Sequence, residues 1–286
     1  MADERTMPFA AAIRAALEQL VDDGAVLLGD TIGMPGSATE GLAGHALPAG
    51  DRGAAGVALG MAMTGRTVVL ELPDVSRLGA ILDVLVEAAR LTASDFAPTL
   101  VVRVPHGAVP GVDAPLGGTL SPVDGLEVLC PHDADSAARL LRYAASRRGP
   151  TVLLESRDLA ARRGRVQGQA GPPQLVERRS GAHVTLATWG SGVSRAEAAA
   201  EQLALDGIEA QVLVLESLHP LPIDALGDHV RATGRLVVVH PADDVLADLV
   251  RLGGLDTAFL YLESPIAAAP AAPAAIVQAA RDTVFY

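Results

Sequence analysis

Short apolar runs of four to six residues recur along this chain, and a helical pattern lies between most of them. Residues 25–28, 67–72, 99–104, 126–130 and 151–155 are such runs in the first half. A run that is apolar at nearly every position is buried on both faces, as parallel strands are when helices cover the sheet above and below. The intervening segments have the matching period. Residues 8–22 place Phe9, Ile13, Leu17 and Leu20 on one stripe, with Thr6 as cap and Gly24 as stop. Residues 76–91 do the same with Leu78, Leu82, Leu85 and Ala89, and Asp133 caps a helix that runs to about Ser146. Strands alternating with helices predict an α/β fold with a doubly wound, mostly parallel sheet.

Residues 162–182 break the pattern. They contain Gly, Gln, Pro and Arg without an apolar period and read as an interdomain linker. The alternation then restarts, with strands at 184–189, 210–215, 236–240 and 259–262 and helices at 193–205, 223–232 and 245–252. An Ala/Pro run at 267–275 leads into a last helix. The expected organisation is a first domain at 1–160, a linker at 161–182 and a smaller α/β domain at 183–286. A chain of 286 residues has the length for two cores. Half of it is apolar but only 3% is aromatic, so those cores are built from Ala, Val and Leu.

A formal net charge of −12 argues against nonspecific nucleic-acid binding and against an anionic membrane surface. The single cysteine, Cys130, excludes an internal disulfide and sits in an apolar run, which fits a buried, inert thiol. The acidic start and the lack of a long uncharged apolar run give no sign of a membrane span or secretory leader, so a cytoplasmic protein is expected.

Two stretches invite a functional reading. Residues 47–65 read as a Pro/Gly turn, an acid at a helix start, and a helix of small residues. Gly53, Gly56 and Gly60 recur at helical spacing, at a cost of about 1 kcal/mol each against Ala. A face without side chains suits close approach of another backbone or a flat ligand, with Asp51 at its mouth. The plainer alternative is a closely packed core helix whose N-terminal acid answers the helix dipole. The second stretch, residues 29–33 with Asp30, follows a strand at its carboxyl end, where ligands bind in parallel sheets.

The order of these pieces resembles one family over nearly the whole chain. It is similar to the β subunits of thiamine-diphosphate-dependent 2-oxo acid dehydrogenases, and more broadly to the pyrimidine-binding and C-terminal domains of transketolases. The likeness is carried by residues 11–30, which resemble the N-terminal helix and Gly-Glu-Asp loop, and by Thr39-Glu-Gly-Leu42. Pro48 to Gly65 matches a Pro-Ile-Ser-Glu turn and its Gly/Ala helix, and Glu71 to Ala89 follows in ungapped register. Gly125 to Pro131 with Asp133-Ala134, the closing strand 150–155, the opening strand 184–190 and Leu215 to Asp224 complete the series.

The resemblance implies a site as well as a fold. In the family one carboxyl group hydrogen-bonds a pyrimidine ring nitrogen of thiamine diphosphate and favours the tautomer that takes the thiazolium proton. The matching residue is Asp51, one methylene shorter than the family's Glu. Asp30 is shortened in the same way. The aromatic ring that stacks on the aminopyrimidine is replaced by Val75, and a second aromatic nearby by Arg77. The family's His-Ser-Gln is missing from the shortened loop after Arg103; His106 and His45 lie in the two altered loops and could substitute in a substrate role, the alternative being surface or loop-packing histidines.

No Gly-Asp-Gly, with which the family's diphosphate and metal motif begins, occurs in the chain. The resemblance therefore implies thiamine diphosphate with Mg2+, the diphosphate and metal held by an α-type partner, in an α2β2 heterotetramer or a homodimer. An acyl-carrier or lipoyl domain is the implied further partner, and transfer of an acyl or ketol unit from a keto substrate the implied reaction. The alternatives are a catalytically degenerate, noncatalytic partner subunit and an unrelated two-domain α/β binding protein.

Overall fold

The structure, a computed structural model, describes residues 5–47, 51–107, 120, 123–240 and 266–285. These fall into two compact units, one up to Pro173 and one from Gln174 on. The division lies inside the stretch expected as a linker.

In the first unit the chain runs β1 (Arg5–Pro8), α1 (Phe9–Asp22), β2 (Val26–Gly29), β3 (His45–Ala46), α2 (Asp51–Met63), β4 (Thr67–Glu71), a 3-10 turn (Val75–Ile81), α3 (Leu82–Leu91), β5 (Thr99–His106), β6 (Glu127–Leu129), α4 (Ala134–Ser146), β7 (Gly149–Ser156) and β8 (Arg163–Val166). Its strands lie side by side in the order β6-β7-β5-β4-β2-β3, and every neighbouring pair is parallel. Because side chains alternate along a strand, Leu27, Val69, Val101, Leu129 and Leu153 all face α1 and α4, whose Ile13, Leu17, Leu140 and Leu141 fill that layer. The opposite face meets α2 and α3, where Ala55, Ala58, Leu59, Ala62, Leu85 and Ala88 are buried. The layers are those of a doubly wound sheet, and the small side chains of α2 let it lie close to β4.

Backbone proximity sets one glycine. A Cβ on Gly29 would stand 2.6 Å from the Glu71 carbonyl oxygen, and its φ is 154°. The β2 and β4 ends therefore close together only with Gly there. Asp133 caps α4 as expected, accepting from the Ser136 backbone N–H at 2.8 Å in a reciprocal capping box.

The second unit runs β9 (Leu175–Arg179), β10 (Val184–Thr188), α5 (Gly192–Leu205), β11 (Ala210–Leu215), β12 (Ser217–His219), α6 (Ile223–Thr233), β13 (Leu236–His240), β14 (Ala267–Pro270) and α7 (Pro273–Val284). Its sheet has the order β14-β13-β10-β11-β9, parallel except for the edge strand β9. Ala196, Ala199, Ala200 and Leu203 of α5 and Ile276, Val277 and Ala280 of α7 build its core with Val184, Leu186, Val237 and Val239.

Four local expectations are corrected. Thr6 does not cap α1. Residues 5–8 form a strand antiparallel to β8, and α1 starts after Pro8 without a side-chain cap. Residues 76–91 are not one helix: Asp74 caps a 3-10 turn that passes into α3 at Leu82. The stretch 161–182 carries two strands, β8 and β9. Both are edge strands whose half-exposed, polar side chains leave no apolar period to read. The Ala/Pro run begins with strand β14, paired to β13, before the last helix starts at Pro273. The expected helix 245–252 and strand 259–262 lie outside the described residues.

Candidate active site

The carboxyl edge of the first sheet collects the charged residues that the sequence marks. Asp51 is the first residue of α2, where the partial positive charge of the helix end favours an acid. Asp30 follows the last residue of β2. With Gly29, Leu47, Ala54, Leu70, Glu71 and Leu72 the two acids line one small pocket. Asp51 and Asp30, 21 positions apart, are thus brought together by the parallel pairing of β2 with β4 and the packing of α2 on β4.

The Asp51 carboxylate is largely buried, its side chain 13% exposed. Its Oδ2 accepts a hydrogen bond from Arg77 Nη1 at 3.0 Å, and its Oδ1 has no protein donor among the described residues. The hydrogen bond and the charge of Asp51 raise the Arg77 guanidinium above its ordinary pKa, with Asp74 and Asp30 adding to the effect. Arg77 thus stands against the one acid that the family likeness singles out, at a position matched to an aromatic ring. A second arginine of this surface, Arg52, pairs with Asp83.

The other sequence-marked residues are placed apart from this pocket. Val75 opens the 3-10 turn and is buried, 5% exposed, and it does not line the pocket. His45 is exposed on β3, paired in register with Leu28. His106 is half-buried at the end of β5. The loop after it lies largely outside the described residues.

On the α1 face of the same edge is a charged cluster that sequence reading missed. Glu71 and Arg103 are register partners on β4 and β5, and Glu155 lies two residues beyond Arg103's partner on β7, on the same face. Arg103 donates from Nε and Nη2 to the two oxygens of Glu155, at 2.7 and 2.8 Å, and from Nη1 to Glu71 at 2.6 Å. Thr31 Oγ1 donates to the other Glu71 oxygen at 2.6 Å. All three charged side chains are buried. Burial alone would pull the Arg103 guanidinium down, but Glu155 and Glu71 more than offset it and hold it above its ordinary range. The cluster lines a cleft of about 300 Å³ with Phe9, Ile13, Ser156 and Arg157. Each member is the charged residue of an otherwise largely apolar strand, Glu71 at the end of β4, Glu155 one residue before the end of β7 and Arg103 inside β5. That recurrent charge in the carboxyl half of neighbouring apolar runs is the signal in the sequence that would have found it.

Helix α2 adds a feature of shape. It buries Ala55, Ala58, Leu59 and Ala62, while a Cβ added at Gly53, Gly56 or Gly60 would meet nothing within 4 Å. The glycine face is therefore open, with Val57 about half exposed beside it. The helix is closely packed on its alanine face, as the core-helix alternative has it, and open on its glycine face.

Known proteins share this arrangement. The family described as "Transketolase, C-terminal domain" matches residues 174–284. The pyruvate dehydrogenase E1 component subunit beta of Staphylococcus epidermidis is 30% identical over 298 residues, covering 92% of this chain and 86% of that protein. The mitochondrial subunit beta-1 of Arabidopsis thaliana is 30% identical over 239 residues, 77% of this chain, and the match spans 65% of that relative's length. A solved structure described as "Split gene transketolase, inactive beta4 tetramer" superposes with a TM-score of 0.77 at 16% identity, covering 98% of both chains, and shows the same fold. With two transketolase-type α/β units in this order and relatives matched across both, the chain belongs to the family of pyruvate dehydrogenase E1 β subunits, as a divergent member.

Proposed function

We propose that this chain is the β-type half of a split thiamine-diphosphate-dependent enzyme whose cofactor site is completed by an α-type partner. The observation that carries the proposal is the meeting of Asp51 and Asp30 in one pocket at the carboxyl edge, beside the open face of α2. The chemistry of the residues present suits the pyrimidine end of the cofactor, while the pocket of this chain alone, about 10 Å³, has room for a water only, so the space for the ring would come with assembly. Asp51 keeps one carboxylate oxygen without a donor among the described residues, and Leu47, Ala54, Leu70 and Leu72 give the pocket apolar walls. Thiamine diphosphate, when bound, supplies a stabilised carbanion adjacent to a former carbonyl. Asp51 Oδ1 would hold a ring nitrogen, and Asp30 would lie at the rim. Diphosphate and Mg2+ would be held by the partner, because no Gly-Asp-Gly is present in this chain. The relatives' names, pyruvate dehydrogenase and transketolase, support a 2-oxo acid or ketol donor, and an acyl-carrier or lipoyl domain is proposed as the acceptor. His45, exposed on β3, and His106, at the end of β5, are proposed as the imidazoles that meet such a substrate.

The Arg77–Asp51 pair favours a second reading, a noncatalytic partner subunit. An arginine occupies the acid where the family presents an aromatic ring, and one carboxylate oxygen is taken. In both readings the open glycine face of α2 is an assembly surface, since close backbone approach is what such a face permits. The split transketolase chain of the same fold is described as an inactive tetramer of β chains, and this chain alone is proposed to behave likewise. Light scattering of the purified chain is expected to give a homo-oligomer. Co-expression with an α-type chain encoding Gly-Asp-Gly is expected to give a particle of α2β2 mass. A strict monomer that also ignores the α-type chain would overturn the assembly proposal.

A further inference from the structure

The amino-terminal edge of the first sheet, opposite the Asp51 pocket, carries a second cleft, of about 470 Å³. Counted along β4, the two edges are roughly 15 Å apart. Arg142, Arg66, Gln19, Asp23, Thr67 and Ser146 line this cleft, where the ends of α1 and α4 meet the start of β4. Two arginines outnumber the single carboxylate in a chain of net charge −12.

Arg142 is the unusual member. Its Nε and Nη2 are buried and have no hydrogen-bond partner among the described residues. With the same pair of nitrogens Arg103 grips both oxygens of Glu155. On Arg142 this edge is empty. Desolvation without a partner pulls its guanidinium below the ordinary range, and the charge of Asp135 restores only part of that. Arg66 is exposed and makes no ion pair among the described residues.

The helix ends do not explain the two arginines. The last carbonyls of α1, at Gln19, Leu20 and Val21, accept from the N–H groups of Asp23, Ala25 and Gly24. At the end of α4, Ala144 accepts from the Arg147 N–H and Ala145 from the Thr67 hydroxyl. A desolvated guanidinium edge with no acceptor is unfavourable, and an oxyanion offers it two acceptors in the matching fork geometry.

We propose that this cleft binds a small organic anion, a phosphate- or carboxylate-bearing metabolite, gripped by the free edge of Arg142 and neutralised by Arg66. The volume is that of a metabolite-sized site. Binding requires the Arg142 side chain to turn toward the cleft, because both nitrogens are buried as they stand.

Calorimetric titration of the full chain with inorganic phosphate and, separately, with citrate tests the proposal, with chloride at matched ionic strength as the control. Saturable one-to-one binding in the phosphate arm, the citrate arm or both supports it, and the stronger arm names the ligand chemistry. Arg142→Met and Arg66→Gln should each weaken that binding at least tenfold. Without anion, Arg142→Met should leave the urea midpoint unchanged or raised, because the guanidinium edge has no partner to lose. A merely structural arginine would lower it. No saturable binding of either anion up to about 10 mM would overturn the proposal, being weaker than any specific site of use. Affinity unchanged in both variants would overturn it equally.

Discussion

Asp51→Asn lowers turnover of the assembled enzyme by about ten- to two-hundredfold. The effect follows from replacing one charge-assisted hydrogen bond, worth roughly 1.5–3 kcal/mol, by a neutral one, at tenfold in rate per roughly 1.4 kcal/mol. Fold and assembly survive, because the side chain sits at a helix start and its partner, Arg77, is about half exposed, where ion pairs contribute little to stability. Steady-state kinetics of the co-expressed complex measures the effect. Asp51→Glu and Arg77→Gln then separate the two readings. If the shorter acid is matched to a closer ring, the longer one crowds the pocket and lowers turnover. If Arg77 holds the acid idle, Arg77→Gln raises turnover, since both Asp51 oxygens are then free. Unchanged turnover in Asp51→Asn removes Asp51 from the reaction. A complex without thiamine-dependent activity in any of these variants leaves the noncatalytic reading in possession.

Arg103→Met destabilises the first unit by about 3–5 kcal/mol, the cost of leaving buried charges uncompensated. Glu71 and Glu155 both lose the one buried cation that they have among the described residues, where the Thr31 hydroxyl bonds one of the four carboxylate oxygens. Urea unfolding followed by circular dichroism reads the loss as a lower midpoint. Neutralising the acids as well, with Glu71→Gln and Glu155→Gln in the same chain, recovers most of it, because the penalty lies in the orphaned charges rather than in packing. A loss of under about 1 kcal/mol in the single variant, the range of an ordinary surface change, contradicts this account of the cluster.

The parts of the fold legible in the sequence are those whose burial is symmetric. Strands β2, β4, β5 and β7 are covered on both faces, so they read as continuous apolar runs, and α1 and α4 carry their stripes openly. The edge strands were not legible. In β8 and β9 a ladder on one side holds polar residues such as Arg163, Arg165, Glu177 and Arg178, and backbone hydrogen bonds leave no mark on composition. The β1 strand failed for a related reason: Thr6 has a capping residue's chemistry, but its backbone is committed to β8.

The site divides in the same way. Asp51 and Asp30 are local features, an acid at a helix start and an acid after a strand, and the sheet brings them to one pocket. The Arg77–Asp51 pair spans 26 positions and two elements, and nothing local announces it. Glu71 and Glu155 each look like a solvated strand end, and Arg103 like a lone charge within an apolar run. Only the register, with Glu71 opposite Arg103 and Glu155 one inward position beyond, makes them a cluster.

The central claim is a cofactor site divided between two kinds of chain. Calorimetric titration of thiamine diphosphate with Mg2+ tests it most directly, first into this chain alone and then into its complex with the α-type partner. Little or no binding to the isolated chain and clear, metal-dependent binding to the complex is the result predicted. Tight, metal-dependent binding by this chain alone would contradict it.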